Sequence, residues 1–262
     1  MVALFAVACS ESSDRSGSGP ETGVRANAQA ASPTVVDSTS SEPASNRSSR
    51  PDPVALAIDR ILADSAARAL GPSDLRWPSI ELQLPEPVPE SVRDLIPECD
   101  GPALISSAGI GPVRVGESLA DLFGRCRAVW PFYQWAEGVP LPAVAVRVSG
   151  ALLRIEVSDT TREALVRRVL TYDEVAATAD GIGPGRTLAV LTATQGSLRF
   201  GSAECAVYAW SNSLPGVSWV LEFPSAWDCL MAESVNETGG PIPPRDTKLA
   251  MAIVVHQTGG GA

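Results

Sequence analysis

The tract from Ser10 to Arg50 constrains this chain most, because it cannot form a compact fold by itself. It contains no aromatic residue and consists largely of Ser, Thr, Pro, Ala, Gly, Asn and mixed charges. Such a composition buries too little apolar surface to offset the entropy lost on ordering. We therefore predict a flexible tether over residues 10–50, so that any globular fold has to come from the remainder of the 262 residues.

The residues before this tract are apolar and end at Cys9. The abrupt change to polar residues at Ser10 is typical of a processed signal sequence over residues 1–9. The step Ala-Val-Ala-Cys resembles the lipobox of bacterial lipoproteins, in which the cysteine sulfur receives diacylglycerol, and this resemblance implies lipidation of Cys9. The sequence departs from the pattern because Ala6 replaces the usual Leu and no basic residue precedes the apolar run. The alternative is an ordinary apolar N terminus of a cytosolic protein.

A lipidated Cys9 would place the protein in the cell envelope. By resemblance, Ser10 after the cysteine favours the periplasmic side of the outer membrane. No apolar run approaches the roughly 20 residues of a spanning helix, and a net charge of -10 disfavours a nucleic-acid partner. The expected partners are the membrane, through the lipid anchor, and an envelope protein or a cell-wall glycan.

A connecting region is predicted over residues 51–98. Asp52, followed by a proline, is suited to begin an amphipathic helix, and a glycine supplies the stop. Several prolines then interrupt the chain, and Ser79–Leu84 alternates as a short edge strand. The globular domain is expected over residues 99–258.

Two Gly-Ile-Gly-Pro motifs, at residues 109–112 and 181–184, stand out in this domain. Each leads to a hydroxyl residue, Ser118 or Thr187, that can cap a helix. A hairpin is predicted after each helix, from strands at 144–148 with 152–157 and at 205–210 with 217–223. The sequence therefore predicts an α+β fold: two repeated turn–helix–β-hairpin units form an antiparallel sheet, preceded by the disordered stalk and the amphipathic helix. The segment 162–170 suits either a helix or a strand, and 248–256 predicts a final strand.

A duplicated helix-and-sheet unit in a lipoprotein resembles the BamE/SmpA-type envelope modules, and also the secreted β-lactamase inhibitory proteins, which pair two such units. The resemblance rests on the helix starts Ser118-Leu119 and Thr187-Leu188 and on the hairpins. It implies an assembly or protein-binding role rather than catalysis.

Four further cysteines predict two disulfides in an exported domain. Three pairings exist, and we favour Cys205–Cys229, which flank one predicted hairpin, together with Cys99–Cys126, which would join the domain's start to the end of its first helix. A metal site is not expected, because the sequence has no Cys-x-x-Cys and His256 is its only histidine.

The sequence gives little support for catalysis. His256 would have to serve any Ser-His-Asp or Cys-His arrangement, and no Gly-x-Ser-x-Gly motif accompanies it. Prolines in the glycine-rich turns remove amides that a phosphate cradle needs, so no cofactor is expected. The remaining enzymatic alternative is an envelope hydrolase that uses a pair of acidic residues. Its candidates are Asp159, Asp173, Glu174 and Asp180.

An aromatic cluster is the best candidate for a binding site. It comprises Trp130, Phe132, Tyr133 and Trp135. These residues lie in a predicted loop between Pro131 and Pro140, where exposed rings would contact a carbohydrate or a protein. Buried rings would instead cap the sheet. The favoured hypothesis is a non-catalytic, lipid-tethered binding or envelope-assembly module.

Overall fold

The computed structural model describes residues 71, 75–78, 83–136, 138–203, 205–222, 229–236 and 241–255. Cys9, the predicted tether, the helix predicted from Asp52, the start of the Ser79–Leu84 strand and His256 lie outside these residues. None of the described helices is long and apolar enough to cross a membrane.

Twelve strands make up most of the regular structure in the described part of the chain. They are β1 Glu98–Cys99, β2 Ile105–Ser106, β3 Gly109–Ile110, β4 Val113–Arg114, β5 Trp130–Ala136, β6 Val139–Val148, β7 Ala151–Val157, β8 Val166–Thr171, β9 Leu198–Ala203, β10 Ala206–Ser211, β11 Val217–Leu221 and β12 Leu249–Val255. The helices are short: α1 Glu90–Arg93, α2 Leu119–Phe123, α3 Leu188–Gln195 and α4 Cys229–Glu233, with a 3-10 turn at Ser234–Asn236.

Nine of these strands form one mixed sheet in the order β1-β6-β7-β8-β12-β11-β10-β9, with β5 also paired to β6. Strands β5 to β8 follow one another antiparallel, and so do β9 to β12. The two runs join where β8 pairs with β12. The short β1 pairs parallel to β6, and β2, β3 and β4 form a separate three-stranded sheet.

The face of the large sheet that we call the inner face carries the main core. Alternate residues such as Val144, Leu153 and Trp219 are buried there. Helices α2 and α3 close this core through Leu119 and Leu188, together with further buried leucines. Ser118 begins α2 with the capping box expected from the sequence, because its side chain accepts from the Asp121 amide and the Asp121 carboxylate accepts from the Ser118 amide.

The opposite, outer face is also largely apolar. A segment that includes α1 covers its β5–β7 end, where Val92 and Ile96 pack on Trp130 and Phe132. A second cluster, centred on Ile253, lies farther along this face. The sheet therefore has buried residues on both faces. This explains why apolar and polar residues alternate less regularly along its strands than in a sheet with one exposed face.

Both predicted disulfides are present. Cys99 is bonded to Cys126 and Cys205 to Cys229. The first is buried within the main core, whereas both cysteines of the second are half-buried.

The predicted α+β fold of two turn–helix–hairpin units is wrong, because the described chain is mostly β and its sheet is mixed. The two glycine motifs play different roles: residues 109–112 form β3 and the turn into β4, whereas 181–184 contain no strand. Helices α2 and α3 have only 5 and 8 residues. Val166–Thr171, which the sequence left open, is a central strand, so the sheet continues where a second separate unit was expected.

Individual strand predictions were more accurate than the fold class. The Ser149-Gly150 turn joins β6 and β7 as expected, and Ser149 takes a positive φ of 49° that suits such a tight turn. The predicted 205–210 and 217–223 strands correspond to β10 and β11, and the predicted final strand corresponds to β12.

Candidate functional site

Strand β5 brings the aromatic cluster to an edge of the large sheet. Among the described residues its strand partner is β6, in which Pro140 stands opposite Trp135 and Pro142 opposite Tyr133. A proline has no N–H and therefore fits only the non-hydrogen-bonded pairs of an antiparallel ladder. It follows that the backbone N–H and C=O groups of Tyr133 and Trp135 point away from β6. Pro131 lies two residues before Tyr133, opposite Val144, and therefore also occupies a non-hydrogen-bonded pair.

We call Trp77, Tyr133 and Trp135 the aromatic edge. The Trp135 side chain is the most accessible of the three, with 44% of the residue exposed. The rings of Tyr133 and Trp77 lie 5.9 Å apart at an angle of 52°, and the Trp77 indole N–H donates to the Thr160 carbonyl at 2.7 Å. Tilted aromatic pairs of this spacing are favourable, so Trp77 and Tyr133 hold each other in place beside the exposed Trp135.

The predicted loop over this cluster is therefore a strand, and its two ends differ in burial. Trp130 and Phe132 are each 1% exposed and belong to the outer-face core. These two rings are therefore buried against the sheet, whereas the Trp135 ring is exposed. Tyr133 is half-buried. Of the predicted aromatic cluster, Trp135 and in part Tyr133 thus remain accessible to a partner.

A cluster of charged and polar side chains on the outer face had no counterpart in the sequence analysis. Arg154 and Glu156 on β7 are only 5% and 4% exposed. Arg154 pairs with Glu86 at 2.5 Å, and its other terminal nitrogen donates to the Pro85 carbonyl. Glu156 accepts from Arg168 at 2.5 Å and from Gln134 at 3.3 Å. We call Glu86, Gln134, Arg154, Glu156 and Arg168 the outer-face charged cluster.

This cluster has a structural role. Both Glu156 carboxylate oxygens accept hydrogen bonds from side chains of this cluster, and the residue is only 4% exposed, so a substrate has little access to it. Arg154 lies 5.6 Å from the centre of the Tyr172 ring. Burial, and secondarily the charge of Glu86, raises the pKa of Tyr172 to about 12. Tyr172 therefore stays protonated at any physiological pH and offers no general base.

The acidic residues considered for a hydrolase serve local structure. Asp159 accepts from the Thr161 amide and hydroxyl and from Ser158, and these hydrogen bonds lower its pKa. Asp173 accepts from Arg93 at 2.9 Å and from the Leu152 amide at 2.6 Å.

The hydrogen bond to Asp173 raises the pKa of Arg93, and the negative charge of Asp173 raises it further. The Glu174 side chain lies against Gly185, where a Cβ would clash with it, and Asp180 is exposed. These carboxylates thus do not favour a hydrolase.

The helix starts near the glycine motifs are not anion sites. The amides of Leu119 and Ala120 at the start of α2 donate to backbone carbonyls at 2.9 and 2.8 Å. The amides of Leu188 and Ala189 at the start of α3 donate in the same way, each at 2.8 Å. Amides engaged by the chain cannot bind a phosphate group.

The comparisons with known proteins give no family for this chain. No family model and no curated protein matches it. A solved structure, that of the uncharacterized protein yfeY from Escherichia coli, is similar with a TM-score of 0.41 and 13% sequence identity. The similarity covers 58% of this chain and 99% of that one.

Proposed function

We propose that this chain is an exported, lipid-anchored, non-catalytic module that binds an extended segment of an envelope protein along strand β5. The observation that carries the proposal is the aromatic edge, where outward-pointing backbone groups accompany the exposed Trp135. An extended peptide adds to such an edge as a further strand: backbone hydrogen bonds supply affinity, and the side chains beside them supply specificity.

Several features of β5 suit it for this role. No described residue outside β6 forms a backbone hydrogen bond with Tyr133 or Trp135. A tryptophan loses few rotatable bonds on binding and buries much apolar surface, which makes Trp135 an efficient contact. The net charge of -10 favours a partner segment that carries basic residues.

The two disulfides support an extracytoplasmic location, because such bonds persist mainly in oxidising compartments. Anchoring at Cys9 completes the proposal. A diacylated cysteine would hold the domain at the membrane, and residues 10–50 would let β5 reach a partner at a distance from the lipid surface.

The anchor can be tested by replacing Cys9 with serine. The variant should move from the membrane fraction to the soluble fraction, or accumulate as an unprocessed precursor, because it has no sulfur to acylate. The measurement is fractionation with a carbonate wash, followed by intact-mass analysis for the added lipid. A Cys9→Ser protein of mature mass that stays with the washed membranes would show that the anchor lies elsewhere.

The binding surface can be tested by photo-crosslinking in the native envelope. A photoreactive residue at position 135 should capture a discrete protein partner. The same residue at position 242 should not, although Ile242 is 78% exposed and therefore more accessible than Trp135. Identical products from both positions, or captured glycan without protein, would contradict the proposal.

Two variants distinguish the contribution of the Trp135 side chain to binding from that of its backbone N–H. Trp135→Ala removes the ring and should weaken partner capture roughly 30-fold or more, as expected for a tryptophan hot spot. Trp135→Pro also removes the outward N–H, and it should abolish capture without breaking a bond to β6. Equal capture by the Ala and Pro variants would mean that the peptide does not pair with β5.

A further inference from the structure

The Cys205–Cys229 disulfide is much more accessible than Cys99–Cys126. Both of its cysteines are half-buried, whereas Cys99 and Cys126 are 2% and 0% exposed in the main core. Thiol–disulfide exchange requires the attacking thiolate to reach a sulfur atom. A dithiol should therefore reduce Cys205–Cys229 while the inner bond stays intact.

A carboxylate lies beside this disulfide. Cys229 and Glu233 are four residues apart on α4, a spacing that brings side chains together on one helix face. The Cys229 sulfur lies 3.4 Å from the Glu233 Oε1 atom. The Cys205 and Cys229 sulfurs and a Glu233 oxygen all lie within 4.8 Å of one another.

We propose that the reduced Cys205–Cys229 pair and Glu233 form a site for one thiophilic divalent cation of the zinc or cadmium class. Two thiolates and one carboxylate are ligands that such ions accept, with water in the fourth position. The site is open only after reduction, because bonded sulfurs cannot both coordinate a cation. The net charge of -10 attracts cations to this surface.

One of the three ligand separations already matches that of a tetrahedral site. Bond lengths of about 2.3 Å to sulfur and about 2.0 Å to oxygen put a sulfur and an oxygen ligand about 3.5 Å apart. The Cys229–Glu233 separation of 3.4 Å matches this value. The sulfurs would have to separate from about 2.05 Å, the usual disulfide length, to about 3.7 Å. Rotation of two half-buried side chains supplies such a movement.

The elements that carry these ligands also pack against one another, in addition to the disulfide between them. Cys205 lies in the turn between β9 and β10, and α4 packs on both of these strands. Cys205 has a φ of 63°, in the left-handed region that favours glycine. The disulfide to Cys229 accounts for a cysteine at this strained position.

The chemistry balances with a dithiol as reductant. The disulfide takes two electrons and two protons from the dithiol, which gives two cysteine thiols and the cyclic disulfide of the reductant. The cation then displaces the two thiol protons as it binds.

The test uses the full-length protein and cadmium alone as the probe. After limited dithiothreitol treatment, alkylation and mass mapping should label Cys205 and Cys229 but not Cys99 or Cys126. The reduced protein should then bind one cadmium ion, seen as thiolate-to-metal charge-transfer absorption, with release of two protons. The oxidised protein should give no such signal.

Glu233→Gln should lower cadmium affinity at least tenfold, and Cys205→Ser should remove the charge-transfer band. Glu163→Gln, at an exposed position outside this group, serves as the matched control and should bind as the unaltered protein does. Equal affinity of the Glu233→Gln and Glu163→Gln variants would overturn the site. So would labelling of all four cysteines together, or loss of near-ultraviolet circular dichroism on reduction, because the site requires the folded hairpin.

Discussion

Replacing Trp130 with alanine should lower the free energy of unfolding by about 3–5 kcal/mol, the range for removing a buried aromatic side chain. Trp135→Ala should lower it by no more than about 1 kcal/mol. The two tryptophans stand five residues apart on the same strand, but Trp130 is 1% exposed and Trp135 is 44% exposed. Urea denaturation followed by circular dichroism measures both changes.

A third variant shows what the Trp130 ring contributes. Its indole N–H is buried and has no hydrogen-bond partner among the described residues, so a phenylalanine loses no described hydrogen bond there. Trp130→Phe should therefore be less destabilising than Trp130→Ala, since its main cost is the smaller ring volume. If Trp135→Ala destabilised the protein as much as Trp130→Ala, the aromatic edge would belong to the core and could not serve as the proposed binding surface.

These two residues also show what the sequence can and cannot predict. The cluster from Trp130 to Trp135 is visible at once, but three nearby prolines favour a loop. The structure accommodates Pro131, Pro140 and Pro142 within paired strands, because each occupies a position whose N–H is not needed between β5 and β6. Which rings are buried then depends on α1 packing over the outer face, a contact between distant segments.

The outer-face charged cluster was missed for a similar reason. In β7 the charged Arg154 and Glu156 alternate with Leu153 and Ile155, which is the usual pattern of a strand with one solvent-exposed face. Both charges are nevertheless buried, because Glu86 and Arg168 reach them from other parts of the chain. A local pattern does not reveal a partner that lies 68 residues away.

The hairpins and the cysteine pairing were predictable because they depend on local signals. Ser149-Gly150 is a turn sequence between two apolar runs, and Cys205 and Cys229 flank a hairpin. The fold class depends instead on the pairing of β8 with β12, whose paired residues are 81 to 87 positions apart along the chain. Ser118 and Thr187 are the N-cap residues of α2 and α3, but only Ser118 makes the side-chain capping hydrogen bond, and neither signal revealed how short the helices would be.

The largest loss of stability is expected from removing the inner disulfide. The two disulfides close loops of similar length, with sequence separations of 27 and 24 residues. The chain-entropy model gives roughly 3.5 kcal/mol for either loop. The double variants Cys99→Ala/Cys126→Ala and Cys205→Ala/Cys229→Ala should therefore lose about the same amount through the unfolded state.

Packing should separate the two variants. Cys99 and Cys126 are buried in the main core, so their removal also leaves a cavity, whereas Cys205 and Cys229 are half-buried. The inner double variant should thus be less stable than the outer one by about 1–2 kcal/mol. Urea denaturation of both variants measures the difference, provided that their denaturant slopes agree. Equal losses would mean that the inner bond acts only by restricting the unfolded chain. A larger loss for the outer variant would mean that Cys205–Cys229 stabilises the β9–β10 hairpin and α4 by more than the closure of its loop.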